Sequence, residues 1–106
     1  TFHNPSGTAL VLDATWVSNP GNLGFELVEA GNSIATVTVL SSTVVRIITT
    51  TPAASGAILR YAMTGVLGAA SGRLSGARGC LRDSDTTTGR LGNALHNYCV
   101  AFEWLL

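Results

Sequence analysis

Lysine is missing altogether from these 106 residues. All six basic side chains are arginines (Arg46, Arg60, Arg73, Arg78, Arg82, Arg90), and six acids match them (Asp13, Glu26, Glu29, Asp83, Asp85, Glu103). Charged residues make up only 11% of the chain and the net charge is zero. A nucleic-acid groove or a site for an anionic membrane surface needs a positive excess, so neither is expected. No apolar run is long enough to span a bilayer, and no signal-peptide pattern is present. The two cysteines, Cys80 and Cys99, are too few for a disulfide framework. They read either as a pair across neighbouring strands or as two small buried thiols, a common setting for free cysteine. Helical periodicity is absent too, with at most one turn over Val66 to Ala70.

What is present is short β pattern and turn chemistry. Phe2 to Gly7 reads as a loop with Asn4-Pro5 and Ser6-Gly7 as breakers, followed by a strand over Thr8 to Trp16. After the turn at Asn19-Pro20-Gly21-Asn22, Phe25 to Glu29 places Phe25 and Leu27 inward and the glutamates outward. Ile34 to Leu40 alternates Ala35, Val37 and Val39 against Thr36 and Thr38, and Ser41-Ser42 suggests a two-residue hairpin. Thr43 to Thr49 is apolar on both faces and is expected to be central. Pro52 to Gly56 turns into a strand over Ala57 to Met63, and a Gly-rich connection runs from Gly65 to Gly79. Leu81 and its neighbours form a short strand. After a polar loop from Asp83 to Asn93, Leu95 to Leu105 closes the sheet, with His96, Tyr98, Val100, Phe102 and Trp104 on one face. Six to eight short strands at this spacing predict an all-β fold, a two-sheet antiparallel β-sandwich or jelly roll, as one module over 1–106. With no initiator methionine, the chain is expected to be a module of a longer protein.

Chemistry-bearing residues concentrate between Ala77 and Trp104. Asp83 and Asp85 form the only close acidic pair and offer oxygens to a hard cation, but two carboxylates are few for calcium. An ion pair of Asp83 with Arg78 or Arg82 is the better expectation. Ser84, His96 and an aspartate supply the residue types of a hydrolytic triad, yet Ser84 lies in no nucleophile elbow. No catalytic residue, metal or cofactor is therefore expected within the chain. Trp16 and Trp104 are expected to be partly exposed, whereas Phe25 and Phe102 belong to the core. Aromatic faces near arginines raise sugar binding, because such faces stack on pyranose rings. The apolar Trp104-Leu105-Leu106 would be covered by a neighbouring domain or subunit.

Three stretches together resemble the C-terminal β-sandwich domain that follows the catalytic domain of SGNH/GDSL-type carbohydrate esterases, among them sialate O-acetylesterase-like enzymes and bacteriophage esterase tailspikes. They are Leu12-Asp13-Ala14-Thr15-Trp16 through Gly24-Phe25-Glu26; Thr43-Val44-Val45-Arg46-Ile47 through Leu59-Arg60-Tyr61-Ala62; and Gly79-Cys80-Leu81-Arg82-Asp83-Ser84-Asp85 with Leu95-His96-Asn97-Tyr98-Cys99-Val100-Ala101-Phe102. Look-alikes carry Asn where Cys80 stands, Tyr where His96 stands and Trp where Tyr98 stands. The family's Gly-Asp-Ser and Asp-x-x-His blocks do not occur here. The resemblance implies a non-catalytic, extracellular accessory module of a virion tail or secreted protein, adjacent to a catalytic domain and carried on a homotrimer. Such a module would bind polysaccharide, stabilise the assembly, or both, and the residues expected to contact a glycan, from the loops and strand ends around the Gly-rich connection, are Trp16, Tyr61, Arg78, Arg82, Asp83 and Asp85. The alternatives are a purely structural trimerisation or interdomain cap and, less favoured, a small free-standing hydrolase using Ser84 and His96.

Overall fold

The computed structural model describes residues 1–63 and 70–106. Seven short strands form: β1 (Leu10–Leu12), β2 (Phe25–Val28), β3 (Ile34–Val39), β4 (Val45–Thr49), β5 (Ile58–Tyr61), β6 (Leu81–Asp83) and β7 (Phe102–Leu105). A single 3-10 turn at Asn22–Gly24 is the only helical piece among the described residues. The class is all-β, with every strand pair antiparallel. The expected two sheets are divided into three small ones, β1-β6, β2-β5-β7 and β3-β4, around one core. The expected helical turn over Val66 to Ala70, apart from its last residue, and most of the first half of the Gly-rich connection lie outside the described residues.

The core forms where the period-two faces converge. Phe25, Ile34, Tyr61 and Leu81 are buried at its centre, and Leu10, Leu12, Leu27, Val37, Val39, Val45, Ile47, Leu59 and Phe102 pack against them. Phe25, Tyr61 and Phe102 make an aromatic cluster, with Phe25 and Tyr61 centroids 4.7 Å apart and Tyr61 stacked on Phe102 at 5.6 Å. Such ring pairs add about 0.5–1.5 kcal/mol each beyond area burial. Only seven hydrophobic residues are fully buried among those described, so the core is small and much apolar surface stays outside.

Five expectations about strands and their connections are corrected. β1 stops at Leu12 because Asp13 Oδ1 accepts the N–H groups of Thr15 and Trp16, turning the chain where the strand was expected to continue. A register shift between Ile34 and Thr36 puts Ile34, Val37 and Val39 on the core face and leaves Ala35 exposed. β4 is not central: among the described residues it pairs with β3 alone, and no layer covers its second face, where Ile48 is open to solvent. The β3–β4 connection exceeds two residues, Leu40 N–H and Ser41 N–H both donating to the Val44 carbonyl. The last predicted strand is also shorter. Only β7 is regular; residues 97–99 flank β6 irregularly, through Asp83 N–H to the Asn97 carbonyl and Cys99 N–H to the Leu81 carbonyl. Val100 is consequently exposed and off the core face on which alternation places it, while Trp104 stays on the Phe102 side of β7 and is exposed, as expected.

β6 is the hub. It bonds to β1 on one side and to residues 97–99 on the other, and Leu81 meets the tip of Tyr61, whose hydroxyl accepts from Leu81 N–H (2.8 Å) and donates to the Leu81 carbonyl (3.3 Å). Beside it, Gly24 approaches Gly79 so closely that a Cβ on Gly24 would stand 2.5 Å from the Gly79 Cα, and a Cβ on Gly79 would enter the Tyr61 ring.

Candidate functional site

Around β6 the structure gathers the Arg/Asp segment, but it pairs these residues in an unexpected way. Neighbouring side chains on a strand point to opposite faces, so Arg82 cannot turn back to the carboxylate of Asp83. Arg82 Nε instead donates to Asp13 Oδ2 at 2.7 Å, and its Nη1 to the Asp83 carbonyl. Asp13 is buried and also holds the Trp16 and Thr15 N–H groups and the Thr15 hydroxyl. The Trp16 and Thr15 bonds, with Arg82 beside them, outweigh burial and keep the Asp13 carboxyl well below the usual carboxylate range. Arg78 binds the Ser18 carbonyl and hydroxyl through Nε and the Gly76 carbonyl through Nη1. Neither arginine forms the expected ion pair with Asp83.

Asp83 faces the other way, toward neutral partners. Its Oδ2 lies 2.8 Å from Ser6 Oγ and 3.2 Å from Asn97 Nδ2, and its Oδ1 accepts the Asp85 N–H. Ser6 has one proton, and the carboxylate is its strongest acceptor. Burial pushes the Asp83 pKa up, but these bonds and the charge of Arg82 together bring it below its ordinary value. Asp85 caps its own turn, accepting from Thr87 N–H and Oγ1.

These groups open onto a groove of about 560 Å³. Its polar side carries His3, Asn4, Ser6, Asp83 and Asn97, and its floor is Leu10, Leu81 and Phe102, with Tyr98 alongside. The volume falls inside the range of small-molecule sites, about 300–1,000 Å³. Ser6 and Asn97 did not emerge from the sequence; the breaker Ser6-Gly7 was read only as a turn, and Asn97 only as a neighbour of His96.

Of the six predicted contact residues, the structure brings only Arg82 and Asp83 to this groove. Tyr61 is corrected outright: with 0% exposure and both hydrogen-bonding capacities spent on Leu81, it is a core residue that no glycan can reach. Trp16 is half-exposed at 49%, as expected, and lies elsewhere: the Arg73 guanidinium covers its ring at 4.6 Å and His96 meets it edge-on. His96 packs between Trp16 and Tyr98 and shares no hydrogen bond with Ser84 among the described residues. Cys80 and Cys99 are free thiols; burial raises both, Cys99 to about 11. Comparisons with protein-family models, with curated proteins and with solved structures return no match.

Proposed function

We propose that the chain is a non-catalytic glycan-binding module of a polysaccharide-processing protein, working outside the cell beside a catalytic domain, and that the groove over β6 receives the sugar. The observation that carries this reading is the Ser6–Asp83–Asn97 arrangement at the mouth of the groove. A carboxylate held ionised and served by a hydroxyl and a carboxamide, with no cation paired to it among the described residues, suits a neutral ligand rich in hydroxyl groups. The apolar floor and the Tyr98 and Phe102 rings suit the carbon face of the same ligand. A phosphate or carboxylate ligand would meet the Asp83 charge and be repelled.

Calorimetric titration with neutral oligosaccharides tests the reading. Asn97→Leu, at an exposed position, is expected to weaken binding roughly tenfold or more, while loss of its bond to Asp83 lowers the melting temperature by only about 5–10 °C and leaves the chain folded. Trp16→Ala is expected to leave affinity within about twofold. The reverse result, loss with Trp16→Ala and none with Asn97→Leu, would move the sugar to the Trp16 ring and abandon the groove.

A further inference from the structure

Each small sheet leaves strand edges unpaired among the described residues, and most carry some safeguard. β2 carries Glu26 and is followed by Glu29, β3 is shifted in register and lined with threonines, and β4 presents Arg46. Charges, irregularities and short length are the usual means by which edges avoid pairing with another chain. Beyond its short length, β7 has little of this. Its residues are Phe102, Glu103, Trp104 and Leu105, with no proline and no register shift, and the single charge is bound to Arg60 of the neighbouring strand at 2.6 Å.

The backbone of β7 shows which groups are open. Leu106 faces β5, its N–H donating to the Ala57 carbonyl and its carbonyl accepting from Gly56 N–H. Alternation then turns Trp104 and Phe102 toward β5 and leaves the N–H and carbonyl groups of Glu103 and Leu105 pointing outward. Side chains on both faces of this edge are exposed: Trp104 at 66% and Leu105 at 68%. On the Trp104 face a second groove of about 480 Å³ opens, lined by Phe25, Ile47, Leu59, Phe102, Trp104 and Leu106.

We infer that β7 pairs antiparallel with β7 of a second copy of this chain, about a two-fold axis through Trp104. In that register Glu103 of each copy lies opposite Leu105 of the other, and the four outward groups of each copy are satisfied together. The two Trp104 side chains meet as a non-hydrogen-bonded pair, where side chains approach most closely. The two Glu103 carboxylates fall on a diagonal, and each keeps its own Arg60. With a net charge of zero, nothing long-ranged keeps the copies apart. The result is a six-stranded sheet built from two three-stranded halves, independent of whether the groove over β6 binds sugar.

Sedimentation equilibrium over a hundredfold range of concentration tests the inference, together with two variants checked by circular dichroism. Wild type is expected to be a dimer. Leu105→Pro removes an outward N–H and is expected to weaken dimerisation at least tenfold. Trp104→Cys is expected to form an intermolecular disulfide under mild oxidation, since a pair across the axis has the required spacing. The chain's own Cys80 and Cys99 supply the control, wild type giving no covalent dimer. A monomer at every concentration overturns the inference. So does the trimer that the esterase resemblance implies, because two edges related by a two-fold close at two copies. A dimer that survives Leu105→Pro, with no Trp104→Cys cross-link, overturns it as well and moves the interface elsewhere.

Discussion

Gly24→Ala is expected to destabilise the chain by about 3 kcal/mol or more, lowering the melting temperature by roughly 12 °C or more. Two effects combine. Gly24 has φ +96°, a region that side chains other than glycine rarely adopt, and the added Cβ would stand 2.5 Å from the Gly79 Cα and 2.8 Å from the Arg78 carbonyl oxygen. Both obstacles are backbone, so no side chain can swing aside. Moving the Gly79 segment would drive it toward Tyr61, which fills the space on its far side. Gly31→Ala isolates the first effect, because Gly31 has φ +75° and open space around it. Its expected loss is only about 1 kcal/mol. Thermal unfolding of the two variants side by side decides the matter. Equal losses would mean that the two glycines do not hold the strands at contact distance.

Removal of Asp13 is the second large effect. Asp13→Ala takes the anion from Arg82, whose side chain is largely buried, and releases the turn that ends β1. Breaking a buried pair from one side costs about 3 kcal/mol or somewhat more. The same residue sets the acid response. Asp13 and Asp83 both ionise more readily in the folded protein than in the unfolded chain, so the unfolded state binds more protons in acid. Their contribution is complete above the unfolded carboxyl value near about 4 and is lost as the pH falls below it. Urea midpoints measured from pH 6 to pH 2 should be flat at first and then fall. Asp13→Asn should begin lower and fall less steeply. A slope identical to wild type would remove Asp13 from this role.

What could be read from the sequence follows from the range of each interaction. Phe25, Leu27, Val37 and Val39 announce their faces by local alternation, and the all-β class rests on such segments. The extra residue at Ala35 reverses the alternation, and nothing local marks it. Tyr61 looked like a surface aromatic because its polar tip needs a partner, and that partner, Leu81, lies twenty residues away. Asp83 stood out correctly as a polar focus, but adjacency suggested Arg82 as its partner when strand geometry forbids it. The true partner of Arg82 is Asp13, separated from it by 69 residues. Ser6 reaches Asp83 from the segment that leads into β1, and Asn97 from the segment that flanks β6 on its other side, so the groove is a product of the fold and not of any motif.

The pairing of β1 with β6 joins Leu10 to Asp83, roughly seventy residues apart along the chain. Closing a loop of that length costs about 4 kcal/mol in chain entropy before any contact is gained. Only the β3–β4 hairpin is local enough to form early. Refolding should therefore be slow for the size of the chain, in milliseconds to seconds, with the β3–β4 hairpin ahead of the N-terminal strand. Stopped-flow refolding followed by tryptophan fluorescence in a Trp104→Phe background reads this, since Trp16 is positioned by the turn that follows β1; completion of the whole signal change within the mixing dead time would contradict it. During that interval the hub strand lacks its flank, and the growing protein depends for its solubility on how quickly residues far apart in synthesis find one another.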